Sequence, residues 1–525
     1  MKKRKLISIC TILIIVLALT IGTYAYFRRT VNGNITGQTG NLVLVVNDSD
    51  SSLNETFTIP FNENNEYVMP GDRGTFDLNI DLTGSTGTVA VTINVEKIDL
   101  PDNLKFYLDE NLKKELTNKT FYIHQSDSMT KKVPVYWYWN GRLNSENDNE
   151  YINSVVEATI NVSATIVKFT NLFNELISNA TLDTNVDFTV EPSIDNGQGL
   201  MMLNATQNDE YPIVYYRGDV SNNNVIFGEF CWLIVRTTET GGTKLIYNGE
   251  VNSDGSCNNY SGVTSNVSYN SELAGAYINQ LINSFNNNNM SPVYAGYMYN
   301  DVVFDMSSID DFDTFVTKYK DHLADNTVDS TTGRHVQNLK DSNVKNKIDN
   351  WYKNNINGTE IEKILEDSIW CNDRSISSNF TLEDFASNGT LGYGAYDRLL
   401  VSNVQLTCSR AIDKFTVDSN KGNGDLDYPI GLLTTDEANL AGHIAETLTN
   451  TYLSIPNGNY WYLTPIIFIP EQNMGTIGGV FSEGTINIYP VNLTAGIRPS
   501  IVLNNSAEFL EGNGSFEKPY NIIVY

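Results

Sequence analysis

The chain has 525 residues, room for about two to four domains that each build their own core. Its 34 basic residues stand against 62 acidic ones, a net charge of -28. A polyanion of this kind is repelled by nucleic acid and by anionic membranes, so neither is an expected electrostatic partner.

The first element is a leader. Lys2, Lys3, Arg4 and Lys5 precede an uncharged stretch from Leu6 to Phe27, which ends in the small-residue region Gly22-Thr23-Tyr24-Ala25. A charged start, an apolar middle and a cleavable end predict a signal peptide or N-terminal membrane anchor over 1–27. The cleavage region is Thr23, Tyr24, Ala25 and Tyr26, and a signal peptidase is the expected partner. The strictly apolar part, Leu6 to Gly22, would span roughly 25 Å as a helix, and extending it to Phe27 covers the roughly 30 Å hydrocarbon core. If uncleaved, residues 6–27 would sit in the membrane with the four cations held inside. Either way the rest of the chain is expected outside the cytoplasm, at the cell surface or secreted.

From about Asn41 to Ile166 apolar residues alternate with period 2 between turn signals. Phe76, Leu78, Ile80 and Leu82 share one face, and Val89, Val91, Ile93 and Val95 share another. Val133, Val135, Trp137 and Trp139 do the same, as do Val156, Ala158, Ile160, Val162, Ala164 and Ile166. Short alternating strands separated by turns such as Met69-Pro70-Gly71-Asp72 predict an antiparallel β-sandwich over 30–170. The two tryptophans read as core, with a sugar-stacking platform as the alternative.

Residues 171–209 read as a polar linker with a short helix from Leu172 to Ile177. Beyond it, 210–525 mixes strands and helices and predicts an α+β domain. A hairpin runs from Phe230–Arg236 through Gly241-Gly242 to Lys244–Tyr247. Helical spacing recurs at Leu273, Tyr277, Ile278, Leu281 and Phe285, at Phe312, Phe315, Val316 and Tyr319, and at Val344, Ile348 and Trp351. Thr434 and Glu437 form a capping box, and strands follow at Tyr460–Thr464, Gly478–Ser482, Thr485–Tyr489 and Ile497–Leu503.

Cys10 lies in the leader, leaving Cys231, Cys257, Cys371 and Cys408. An even count outside the cytoplasm implies disulfides, for which three pairings exist. Sequence neighbours are favoured, Cys231 with Cys257 and Cys371 with Cys408, each worth about 3 to 4 kcal/mol by the chain-entropy argument. No C-x-x-C occurs and His124, His322, His335 and His443 are scattered, so no metal site and no cofactor is expected. The Asp418–Asp427 loop offers oxygen donors, but Pro429 stands where a calcium loop needs its bidentate glutamate, and a glycine-rich hairpin is the preferred reading.

Gly22-Thr23-Tyr24-Ala25-Tyr26-Phe27, the strand Asn41-Leu42-Val43-Leu44 and the Pro70-Gly71-Asp72 turn resemble TasA/camelysin-type proteins over roughly 1–170. The resemblance implies export by a dedicated signal peptidase and a role at the surface or in a biofilm matrix. Tyr215-Tyr216-Arg217-Gly218, Phe230-Cys231-Trp232, Tyr428-Pro429-Ile430-Gly431, Trp461-Tyr462-Leu463-Thr464-Pro465 and Gly496-Ile497-Arg498-Pro499 resemble a family of surface proteins of gut Gram-positive bacteria. That family is distantly similar to the C-type-lectin and formylglycine-generating-enzyme folds.

The expectation is therefore a non-catalytic surface or matrix protein for adhesion or ligand display, with cell-surface glycans or matrix proteins as partners. The alternative makes the C-terminal domain a carbohydrate or peptide binder, with Trp461, Tyr462, Tyr489 and Arg498 as contacts. A third reading, an extracellular thiol enzyme, rests on Cys408 in Leu406-Thr407-Cys408-Ser409-Arg410 and requires it free. No H-E-x-x-H, G-x-S-x-G or P-loop occurs, so no catalytic residue is assigned.

Overall fold

A computed structural model describes residues 41–47, 54–58, 68–125, 128–141, 157–183, 185–203, 211–258, 282–286, 292–299, 338–375, 377, 391–445, 447–455, 458–469, 474–480 and 485–524. The leader at 1–27, with Thr23, Tyr24, Ala25 and Tyr26, lies outside the described residues, as does the helical spacing at Phe312 to Tyr319. Among the described residues no helix is long and apolar enough to cross a membrane. The chain is β-rich and forms two compact units, one of 1–89, 93–117 and 128–166, the other of 90–92, 118–127 and 167–525.

The N-terminal strands are β1 (Val45–Val46), β2 (Asn54–Thr58), β3 (Arg73–Asp81), β4 (Thr88–Asp99), β5 (Leu104–Tyr107), β6 (Asn118–Ile123), β7 (Thr130–Trp139) and β8 (Glu157–Val167). Among the described residues they form two four-stranded sheets, ordered β1-β3-β7-β5 and β2-β8-β4-β6. The alternation is realised as burial: Leu78 and Ile80 on β3, and Val133, Val135, Trp137 and Trp139 on β7, all point inward. Each such aliphatic side chain removed from water contributes about 1.5 to 3 kcal/mol. Trp137 faces Gly74 across the β3/β7 pairing, and a Cβ on Gly74 would lie 2.7 Å from the indole nitrogen. The tryptophans are thus core. The alternation ends before the strand does, because Ile166 on β8 is 38 % exposed. The expected turn is present: Asp72 donates its N–H to Met69 O at 2.9 Å and accepts Met69 N–H on Oδ2 at 2.8 Å, with Gly71 at φ 106°.

The stretch expected as a linker belongs to the C-terminal unit. Helix α1 (Leu172–Asn179) is capped by Asn171, whose side chain accepts from Asn174 N–H. Thr181–Leu182 pairs in parallel with β9 (Gly199–Met202), which pairs with β10 (Val214–Arg217). Its polar composition misleads because the polar groups are used locally: the Asn196 amide donates to the carbonyls of Asp187, Val190 and Glu191. Among the described residues an eight-stranded sheet continues through β12 (Phe230–Thr237) to β11 (Asn224–Phe227) and Tyr520–Asn521. The hairpin partner β13 (Thr243–Glu250) joins β12 to β17 (Ser500–Leu503).

A six-stranded sheet, counted among the described residues, runs Ile282–Ser284, Thr494–Gly496, β14 (Tyr460–Ile469), β15 (Met474–Val480) and β16 (Ile486–Pro490), with Leu391–Gly392 also on β14. Ile282–Ser284 is thus a strand where helical spacing continued to Phe285, while Leu273 to Leu281 lies outside the described residues. Helix α2 (Asn343–Asn355) buries Val344, Ile348, Trp351 and Tyr352 as its period requires. Trp351 packs edge-on against Trp232 of β12 and Tyr247 of β13. Short helices α3 (Gly394–Leu400) and α4 (Thr435–Leu440) complete the frame. Both expected disulfides are formed, Cys231–Cys257 with Cα atoms 5.7 Å apart and Cys371–Cys408 at 5.5 Å.

Candidate functional site

The hairpin register places Arg236 on β12 directly opposite Lys244 on β13. Like charges facing each other across a hairpin repel, and burial removes the water that would screen them. Glu437, in the first turn of α4, offsets this: its Oε1 accepts from Arg236 Nε at 2.8 Å and from Lys244 Nζ at 2.7 Å. Lys244 and Glu437 are each 1 % exposed. The same carboxylate completes the capping box, accepting Thr434 N–H on Oε2 while Glu437 N–H donates to Thr434 Oγ1. Burial raises the Glu437 pKa, but Lys244 and Arg236 outweigh it and hold the group down at about 2. Burial, reinforced by Arg236, lowers the Lys244 pKa despite Glu437. The two directions agree physically, since one carboxylate serves two cations and the ammonium is the surplus charge. The face of Trp370 lies 4.3 Å from Lys244 Nζ and stabilises it further.

A second charge group adjoins the first. Arg398 on α3 forms a bidentate pair with Asp436, Nε to Oδ1 at 2.8 Å and Nη2 to Oδ2 at 3.0 Å, and reaches Asp373 Oδ2 through Nη1 at 3.0 Å. Asp436 also accepts Gln405 N–H, and Asp373 accepts from the hydroxyls of Ser375 and Ser409. The Cys371–Cys408 disulfide ties the Asp373 segment to the Gln405–Ser409 segment, so the bridge holds two walls of one site in register.

Between these groups lies a cavity of about 280 Å³, lined by both charge clusters, by the Cys371–Cys408 bridge, and by Ser368, Thr407 and Thr464. It is near the lower end of small-molecule pockets, commonly about 300 to 1,000 Å³. Its buried acids are spent on cations and backbone donors, and Cys408 in a disulfide supplies no thiolate. The arrangement suits holding a small polar ligand by charge and hydrogen bonds.

The residues singled out from the sequence as ligand contacts lie elsewhere, in the core. Trp461 is 1 % exposed, Tyr462 0 %, Tyr489 5 % and Arg498 1 %. Their binding faces are consumed internally. Trp461 and Tyr489 meet edge to face at 5.7 Å, and Tyr489 lies over Gly479, whose absent side chain makes room for it. Tyr462 OH is within 3.3 Å of His443 Nδ1, and Arg498 donates to Tyr247 O, Leu453 O and Asn248 Oδ1. Of the disulfide and ligand-contact residues singled out from the sequence, Cys371 and Cys408 line the cavity. Arg236 and Glu437 were visible as a hairpin end and a cap, but nothing local marks them as partners.

Asp341, Asp349 and Asp427 form one carboxylate cluster among the described residues that could hold a cation. Lys345 Nζ already stands among them, at 3.2, 2.7 and 3.4 Å, and its ammonium fills that role. The acids of the Asp418–Asp427 loop do not converge. Asp418 Oδ1 accepts from Asn420, Asp425 accepts from Asn338, and Asp427 turns to Lys345. In comparisons with protein families, with curated proteins and with solved structures, the chain matches none.

Proposed function

We propose that the chain is an exported, non-catalytic cell-surface or matrix protein. In this reading a TasA/camelysin-like β-sandwich follows the leader, and a disulfide-stapled α+β domain displays the cleft. The observation that carries it is the pair of formed disulfides, both in the C-terminal unit. Such bridges persist in oxidising compartments and are rare in the cytosol. The acidic balance and the charged start before an apolar run point the same way. Non-catalytic action is supported by the bridging of Cys408 and by the use of the buried acids in ion pairs rather than in a nucleophile–base arrangement.

Surface shaving tests the proposal. Protease added to intact Gram-positive cells expressing the full chain should release peptides from 210–525, whereas peptides that appear only after lysis would refute it.

A further inference from the structure

Beyond the display role, and independently of where the chain resides, we infer that the cavity beside α4 binds a small hydroxylated carboxylic acid of the sugar-acid class. The charged hydrogen-bonding capacity that the buried lining leaves unspent is cationic. Every buried acid of the lining is engaged: Glu437 by Arg236, Lys244 and Thr434 N–H, Asp436 by Arg398 and Gln405 N–H, and Asp373 by Arg398, Ser375 and Ser409. Among the cations Arg398 is spent on Asp436 and Asp373, but Arg236, Lys244 and Lys414 keep donors in reserve. Arg236 gives Nε to Glu437 and Nη1 to Thr237 O, and its Nη2 carries no hydrogen bond among the described residues. Lys244 Nζ spends one proton on Glu437. Lys414, half-buried at the cavity wall, makes no side-chain hydrogen bond among the described residues.

The formal charges of the lining balance, Arg236, Lys244, Arg398 and Lys414 against Glu239, Asp373, Asp436 and Glu437, so it is the unspent donors of Arg236, Lys244 and Lys414 that select an anion. Arg236 presents planar guanidinium geometry suited to a carboxylate. Glu239, an exposed acid of the lining, disfavours a carboxylate on its own side. The ligand's body is set by the remaining walls. Thr434 and Thr464 hydroxyls each accept a backbone N–H and keep their own proton to donate, and Ser368 and Thr407 add further polar groups. Size follows from volume. A cavity of about 150 Å³ holds benzene, so one of about 280 Å³ accommodates roughly a dozen non-hydrogen atoms, the size of a monosaccharide acid.

The test is calorimetric titration of the full-length, oxidised chain at low salt with glucuronate, with glucose as its uncharged counterpart, and with an oligosaccharide ending in glucuronate. Glucuronate, free or terminal, should bind at least about tenfold more tightly than glucose. A preference for the free or the terminal form supports the site and names the source. Arg236→Gln should abolish binding. Because Arg236 also supports Glu437, the decisive variant is Lys414→Gln, which should weaken glucuronate about threefold while leaving the melting temperature and both disulfides unchanged. Equal affinity for glucuronate and glucose, or no binding of either acid form at about 10 mM, would overturn the inference.

Discussion

Replacing Glu437 by Gln probes the buried charge cluster while keeping its shape. The amide oxygen can still accept Thr434 N–H, so the helix cap survives and the change is one of charge. What remains is two cations, Arg236 and Lys244, facing each other in a buried site. Holding the carboxyl at about 2 instead of its usual 4.5 corresponds to roughly 3 kcal/mol of stability at neutral pH. Breaking a buried ion pair from one side independently costs about 3 to 5 kcal/mol. Lys244→Met is the opposite case. It removes the surplus cation, keeps an apolar stem against Trp370 and leaves Arg236 and Glu437 as a matched pair, so it should cost no more than about 1 kcal/mol. Urea unfolding of the oxidised full chain, followed by near-ultraviolet circular dichroism, measures both. If Lys244→Met destabilises as much as Glu437→Gln, the surplus-cation account is wrong.

Acid sensitivity gives a second prediction. Burial, helped by Arg498, holds His443 down at about 3, so the folded state keeps it neutral while the unfolded state protonates below its usual 6.5. Its contribution is complete above about pH 6.5 and is lost as pH falls toward 3, about 2 kcal/mol by pH 5. Asp349 runs the other way, because burial raises it to about 6 and acid relieves the cost of its charge. The His443 share is therefore read as the difference between the chain and His443→Gln, whose urea midpoint should fall less between pH 7 and pH 5; equal falls would contradict it. Replacing Cys371 and Cys408 by Ser should cost about 4 kcal/mol for the loop they close. It should also loosen sugar-acid binding, since the bridge holds the Asp373 and Gln405–Ser409 walls together; unchanged affinity in a folded variant would show the walls are set without it.

What was legible in the sequence was local. Period-2 runs such as Val133 to Trp139 announced their strands because one face must leave water, and Thr434 with Glu437 announced a helix start. The disulfide pairing was legible from neighbour spacing. Within the expected linker 171–209, Thr181–Leu182 and Gly199–Met202 pair as strands, because Asn- and Gly-rich chain satisfies much of its backbone with its own amides and can still join a sheet. Trp461, Tyr462 and Tyr489 looked like a binding surface because an aromatic strand reads alike whether its rings face a ligand or one another. The charge cluster was invisible for a different reason: Arg236 and Glu437 lie 201 positions apart, and only the folded sheet brings α4 against the hairpin.

Trapping thiols in living cells tests the central claim most directly. An expressing Gram-positive host is treated with a membrane-permeant alkylating agent before lysis, and the recovered chain is mapped without reduction. The account predicts unalkylated peptides joined as Cys231–Cys257 and Cys371–Cys408 in material accessible at the cell surface. Recovery of the chain from the cytoplasm with these four cysteines alkylated would contradict it.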